Sequence, residues 1–395
     1  MVRALTGRGA CGREQQQGWC RLCQRIDNWK PAGGEPMNSI KATLLGATLI
    51  LAGCVDDAMH IQDCASAGDI RPVCGMQSPE DIAALPDGRH LLLANFGGMH
   101  GGTGTLSLFD TQSENSRRLF PPAGAVPAVV EELWGEPDCA PPVAEVFSPH
   151  GTHLHRLTDG RLRYLVVNHG GPETIELFEV TGQGETTELA WRGCVQAAPE
   201  TFINDVVGLK NGDLIYTRML HTEGMTEKLL SALGRNTGDL WRWNRDSGLR
   251  VLPGTEANQP NGIEISPDER YVFANMYFTG EVWKVDADTG EVVATAPVAS
   301  GDNNAWGSDG RLWVVVHRDS MVNLLSCFSA QERPCGAGFE VVAIDPETMA
   351  HETVFAHRGA PMGAATVAVP QGGRVYLGSF VGDRLISVPD FGSAP

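Results

Sequence analysis

Six times along the chain a short polar turn leads into a run of apolar and β-branched residues. The copies are LPDGRHLLLAN from Leu85, LTDGRLRYLVVN from Leu157, LKNGDLIYTR from Leu209, SPDERYVFAN from Ser266, GSDGRLWVVV from Gly307 and PQGGRVYLGS from Pro370. Asp-Gly and Asn-Gly are strong hairpin signals, and Val, Leu and Tyr favour strands. With Asp87, Asp159, Asn211, Asp268, Asp309 and Gly372 as markers, the steps are 72, 52, 57, 41 and 63 residues. Between them lie further aromatic-rich hairpins, such as LWRWNRDSGLRVL and VWKVDADTGEVVAT. A repeat of this size with paired hairpins matches a four-stranded propeller blade. The pattern predicts an all-β chain folded as a six-bladed β-propeller, with a double β-sandwich as the alternative. No linker rich in Pro, Gly or Ser interrupts residues 75–395, which are read as one domain.

A propeller lines its central channel with the first strand of each blade, so ligands should come from equivalent positions. Ahead of four turns stand polar residues where a packed strand would carry apolar ones. They are Glu80 and Asp81, Asn204 and Asp205, Asn261, and Asp302 with Asn303, each six to eight residues before its turn. A single Asn or Asp here could be a turn cap; the shared offset points to convergence on the axis. Carboxylate and amide oxygens suit a hard cation, and calcium accepts neutral amide ligands readily. Glu80, Asn204, Asn261, Asp302 and Asn303 therefore form a candidate calcium site.

The second turn is preceded by FSPHGTHLHR, which holds His150, His153 and His155, and the strand after it ends in Asn168 and His169. A three-histidine zinc centre needs side chains that converge; on a strand His153 and His155 share a face, while His150 precedes a glycine turn. With oxygen ligands elsewhere, zinc is disfavoured, and His153 and His155 read as ordinary strand residues. No G-x-S-x-G elbow occurs, so serine hydrolase chemistry is weaker still.

The amino end differs from the rest. Residues 1–36 are Arg- and Gln-rich without strand or helix periodicity and read as a disordered upstream extension. From Met37, MNSIKATLLGATLILAGC has one cation, an apolar stretch too short to span a bilayer, and small residues before Cys54. This resembles a lipoprotein signal over 37–53 with Cys54 as the lipidated residue, and 54–74 as a tether. The chain would be exported to the periplasm or anchored at the outer membrane of a bacterium, with membrane contact only through Cys54.

The net charge is −18, and residues 1–53 carry seven Lys or Arg against three Asp or Glu. A chain without them stands at −18 − 4 = −22. Such acidity argues against nucleic acid as a partner. Six cysteines follow Cys54, and export makes disulfides the expectation over metal binding. The order suggests Cys64 with Cys74, Cys139 with Cys194 and Cys327 with Cys335, although six cysteines allow 15 pairings.

Together these segments resemble the paraoxonase and arylesterase family of six-bladed propellers, relatives of gluconolactonase. The carriers are SPEDIAALPDG, SPHGT, LVVNHGGPETIELFEV, INDVVGL, PNGIEISPDERYVFAN, DNNAWGSDGRLWVVVH and GRVYLGSF, in the family's order over about residues 78–387. The resemblance implies two calcium ions. Glu80, Asn204, Asn261, Asp302 and Asn303 match the ligands of a catalytic ion; Asp81, Asp205 and the carbonyl of Thr152 match those of a structural one. Neighbouring strand residues point to opposite faces, so adjacent pairs could serve different sites. His150 and His169 match a histidine dyad that takes a proton from water, and His317 matches a position in the substrate pocket. A competing mechanism makes Glu80 or Asp302 the base.

The chain also departs from the family. Animal paraoxonases join the propeller's ends by a disulfide, but no Cys follows Cys335, so closure is expected from strand pairing. The segments Met219 to Arg235 and Asp319 to Gly336 have no counterpart and are expected over the active face. The function these features imply is calcium-dependent hydrolysis of a small-molecule lactone or aryl ester. The alternative is a calcium-stabilised propeller acting as a non-catalytic binding or scaffold module; the histidine pair favours hydrolysis.

Overall fold

The computed structural model describes residues 61–98, 102–122, 132–222, 224–328 and 333–392. The upstream extension, the signal segment and Cys54 lie outside the described residues. Among the described residues, twenty-four strands form six antiparallel sheets of four, a six-bladed β-propeller.

The inner strands are Pro79–Ala84, Pro149–Arg156, Phe202–Gly208, Pro260–Ile265, Gly301–Trp306 and Ala365–Gln371. Each lies against the inner strands of both neighbouring blades, so the six close a ring around the channel. Every repeated turn joins an inner strand to the second strand of its blade. The turn chemistry is local: Asp87 Oδ1 accepts the N–H of Arg89 and of His90, each at 2.9 Å. Asp159, Asn211, Asp268 and Asp309 each accept the N–H two residues on in the same way. An Asp or Asn side chain that bonds its own backbone two residues on fixes such a turn without help from elsewhere.

Second strands are continuous apolar runs because neighbouring blades cover both of their faces. His90–Asn95 is buried at every position, whereas the outer strand Ser116–Phe120 is exposed over its first three residues. Six apolar cores separate successive blades; Ile82, Leu91, Leu93 and Phe109 of blade one meet Val367, Val369, Tyr376 and Leu385 of blade six. Burying each such Leu, Ile or Val contributes about 1.5–3 kcal/mol.

The ring closes through Arg71–Cys74, the outer strand of blade six, which pairs antiparallel with Arg384–Pro389. The expected tether thus ends inside the propeller, and closure rests on strand pairing. The disulfides are Cys64–Cys74, Cys139–Cys194 and Cys327–Cys335. Among the described residues, the segments from Met219 and from Asp319 carry the helices Met225–Ala232 and Met321–Phe328, in the connections from second to third strands of blades three and five.

Candidate active site

All six inner strands carry a register shift at the same place. The shifts fall between Pro79 and Asp81, Pro149 and Thr152, Ile203 and Val206, Pro260 and Ile263, Gly301 and Asn304, and Ala365 and Ala368. Each is a β-bulge, which adds a residue to one strand and re-aims side chains. Glu80, His150, Asn204, Asn261, Asp302 and Asn303 all sit on bulges. Simple alternation therefore does not describe the adjacent pairs: Glu80 and Asp81 diverge because the ladder is interrupted between them. The glycines beside the bulges belong to the same device. A Cβ on Gly151 would stand 2.4 Å from Asp205 Oδ1 and 2.6 Å from the Asn204 carbonyl oxygen.

The bulges gather oxygen atoms. Glu80 is buried, and its Oε1 accepts from Asn303 Nδ2 at 2.8 Å. Its Oε2 has no hydrogen-bond partner, and neither has the buried Oδ1 of Asn204, Asn261 or Asn303. Burial, with the charges of Asp81 and Asp302, pushes the Glu80 carboxyl well above its usual range. Burial raises Asp302 to about 7 against a hydrogen bond from Asn261.

A second pair lies next to these. Asp81 Oδ2 accepts from the Thr152 N–H at 2.6 Å and from its hydroxyl at 2.7 Å. Asp205 accepts from the N–H of Ile263 and of Val206, both at 2.8 Å. Burial lifts Asp81 to about 6, and burial with the neighbouring Asp81 lifts Asp205 well above the carboxylate range. Thr152 meets Asp81 through its N–H and hydroxyl, whereas the resemblance implied its carbonyl.

Among the described residues, four buried carboxylates with no Lys or Arg hydrogen-bonded to them lie beside four unpartnered amide or carboxylate oxygens, a cluster with more acceptors than donors. Leaving such groups unpaired is costly. Hard cations would satisfy both the lone pairs and the charge, and two divalent ions would balance the four carboxylates. Among the described residues no three His, Cys, Asp or Glu side chains group as a metal centre. The larger set counts two acids with three amides, and the zinc reading of the histidines finds no support.

His150 and His169 come together, with ring centroids 5.0 Å apart. The His150 Nδ1–H donates to the Asn204 carbonyl at 3.1 Å, which leaves Nε2 as a lone-pair nitrogen. Burial and the neighbouring His169 lower its pKa to about 3, so it stays neutral. Glu80 Oε2 is 3.8 Å from His150 Nδ1, tying the dyad to the oxygen cluster. His169 Nδ1 meets both oxygens of Glu173 at 2.9 Å, and its buried Nε2 has no partner. Phe202 stacks on His169 at 4.5 Å, and Phe96 packs edge-on against both histidines.

Glu173 was missed from the sequence, although a carboxylate four residues after His169 in HGGPE is a usable signal. His317 also reaches the site. Its Nδ1 lies 3.1 Å from the Tyr277 hydroxyl and its Nε2 3.4 Å from Asp302 Oδ2, and burial lowers it to about 4.

His153 and His155 do not join the site; they are a half-buried polar pair between blades two and three. Their rings stack at 5.2 Å, and His153 Nδ1 accepts from the Gly208 N–H at 3.1 Å. His155 Nε2 accepts from Arg163 Nε at 3.0 Å, and His153 Nε2 lies 3.4 Å from Glu264. A Cβ on Gly208 would run into the His155 ring, so this blade gives up a side chain to seat the pair.

A family model described as Arylesterase matches residues 77–386. No curated protein matches the chain. A luciferin-regenerating enzyme is 12% identical, with 80% of this chain and 92% of that one covered and a TM-score of 0.48. A gluconolactonase of Xanthomonas campestris is 15% identical, with 85% and 95% covered and a TM-score of 0.47. The calcium-binding protein regucalcin of Agrobacterium tumefaciens is 13% identical, with 80% and 91% covered and a TM-score of 0.47.

Proposed function

The chain belongs to the arylesterase family, and from that premise we propose that it is a calcium-dependent hydrolase of lactones or aryl esters. The observation that carries this reading is the buried, acceptor-rich oxygen cluster beside the His150 and His169 pair. Glu80, Asn204, Asn261, Asp302 and Asn303 would hold one calcium ion, and Asp81, Asp205 and Thr152 a second. A calcium bound by the first set would supply Lewis-acid polarisation of a substrate carbonyl and charge stabilisation for an oxyanion.

The residues do the rest. His150, fixed by the Asn204 carbonyl, presents its free nitrogen to water as general base. His169, anchored by Glu173, stands beside His150 to pass the proton on. Phe96 and Phe202 pack around the pair and restrict water. His317, beside Asp302 and Tyr277, shapes the pocket wall.

Export as a lipoprotein acylated at Cys54 is proposed as well; the three disulfides support an oxidising compartment. The test of function is a panel of lactones and aryl esters assayed with calcium and with a chelator. Chelator-sensitive turnover is expected on at least one class. Absence of turnover throughout the panel would sink the reading.

A further inference from the structure

His150 and His169 are carried by separate stretches of backbone, and one side chain holds both stretches. Asn168 ends the second strand of blade two, Leu162–Asn168, and is 2% exposed. Its Oδ1 accepts the N–H of Ser148 at 3.0 Å and of Gly170 at 2.9 Å. Ser148 lies two residues before His150, and Gly170 directly follows His169. The Ser148 carbonyl in turn accepts the His169 N–H at 3.0 Å. A single amide oxygen thus sets the spacing between the two segments that bear the rings.

An amide can turn over and offer its NH2 where its oxygen stood, so a neighbour must fix its sense. Here that neighbour is Glu176, on the third strand Thr174–Thr181. Asn168 Nδ2 donates to Thr174 Oγ1 at 3.3 Å and to Glu176 Oε1 at 3.4 Å. The same Oε1 accepts the Thr174 hydroxyl at 2.7 Å, and Oε2 accepts Trp191 Nε1 at 2.7 Å. An ionised carboxylate only accepts, which holds the NH2 toward itself and Oδ1 toward the backbone. Burial lifts the Glu176 carboxyl to about 7 against the hydrogen bonds from Thr174, Trp191 and Asn168.

Packing alone does not ask for this carboxylate. Glu176 is 1% exposed, and its cross-strand neighbours Val166 and Cys194 belong to the apolar core between blades one and two. Among the described residues no Lys, Arg or His is hydrogen-bonded to it, and burying a charge without a counter-ion is costly. Blade one shows the neutral alternative. Asn95 ends its second strand and faces Thr105 as Asn168 faces Thr174, but Ser107 stands where blade two has Glu176. Asn95 Nδ2 donates to Thr105 Oγ1 at 3.1 Å and to Ser107 Oγ at 2.8 Å. Phe96 follows Asn95, whereas His169 follows Asn168. Of these two matched blades, the one that carries the histidines has the charged version.

We propose that Glu176 and Asn168 form a buried clamp that positions the histidine dyad, with Glu176 acting through Asn168 and neither touching substrate. The consequence for turnover rests on the hydrolase reading; the consequence for the placement of the rings does not. Glu176→Gln presents an NH2 of its own to the Asn168 amide, which then loses its fixed sense. Asn168→Asp keeps an acceptor for Ser148 and Gly170 but sets a second carboxylate against Glu176. Made together, the two substitutions exchange amide and carboxylate, and the clamp regains a matched pattern of donors and acceptors.

The chain carrying 15N-labelled histidine is followed by NMR as the parent, Asn168→Asp, Glu176→Gln and the double variant. Hydrolysis of phenyl acetate and δ-valerolactone and thermal unfolding are measured on the same proteins. Each single variant should shift the ring signals of His150 and His169 but not those of His351 and His357. Each should also lower kcat about 10–100-fold with KM within about twofold of the parent. The double variant should regain the parent ring signals and most of kcat. Unmoved ring signals in the single variants, a kcat loss that only follows Tm, or a double variant no better than the singles overturns the proposal. Where a single variant fails to fold, the double variant decides: parent-like ring signals support the clamp, and altered ones overturn it. A parent that hydrolyses neither substrate ends the hydrolase reading for these substrates, and the ring signals still decide the clamp.

Discussion

Glu173 spends both carboxylate oxygens on His169, and one of them also accepts the N–H of Ile203 at 3.1 Å. The ring is thereby fixed with Nδ1–H toward Glu173, which leaves its buried Nε2 unpartnered. A partner that orients a functional histidine in this way typically accounts for about 10–100-fold. Glu173→Gln keeps the shape and loses the charge, so kcat on the best lactone should fall by about that factor with KM little changed. His150→Ala removes the base itself and should cost about 100–10,000-fold; an unaffected kcat would move the base role to Glu80 or Asp302. The polar residues ahead of the turns could be read from residue type and offset, whereas the pairing of His150 with His169 rested on the family resemblance alone. Glu173 could not be weighed in the same way, because one carboxylate near a histidine is common and only the geometry shows which nitrogen it holds.

At the scale of the strand, the repeated bulge is what makes a channel site possible. An uninterrupted strand would present alternate residues, leaving one of each pair Asn204 and Asp205 or Asp302 and Asn303 turned into a blade. Small residues let neighbouring bulges approach, and Gly151→Ala forces a methyl group into the Asp205 and Asn204 backbone. Overpacking of this kind costs about 1–3 kcal/mol. Urea unfolding should show that loss, and calcium affinity should fall with it, because Asp205 must shift. The turns were legible because Asp and Asn act on their own backbone. The bulges were not, since no residue type marks them, and His153 and His155 declared their role only through the blade they pack against. The closing strand Arg71–Cys74 was likewise hidden: four residues without a turn signal read as tether.

Across the whole molecule, the buried acids set how stability depends on pH and metal. Asp81 stands at about 6 and Asp302 at about 7, with Glu80 and Asp205 also raised, in each case first by burial. A carboxyl with a raised folded pKa stabilises the fold while protonated. That contribution is complete below the ordinary carboxylate range and is lost as pH rises through about 6 to 7. The metal-free propeller carries this cost at alkaline pH, and calcium held by the proposed ligands would remove it by pairing the ionised groups. The rise in Tm on adding calcium should therefore be larger at pH 8 than at pH 5.5; a rise independent of pH would contradict the assignment. His150, held near 3 by burial, and His317, near 4, weaken the fold instead as pH falls below about 6.5, with or without metal, and so largely cancel from the difference.

The most direct test of the central claim couples metal content to turnover. The chain is stripped with a chelator and titrated with calcium, and bound metal and lactone hydrolysis are measured on the same samples. The account predicts negligible hydrolysis in the stripped protein, full recovery as about two calcium ions bind per chain, and no recovery in Asn261→Ala with Asp302→Ala. Undiminished hydrolysis by the metal-free chain would contradict it.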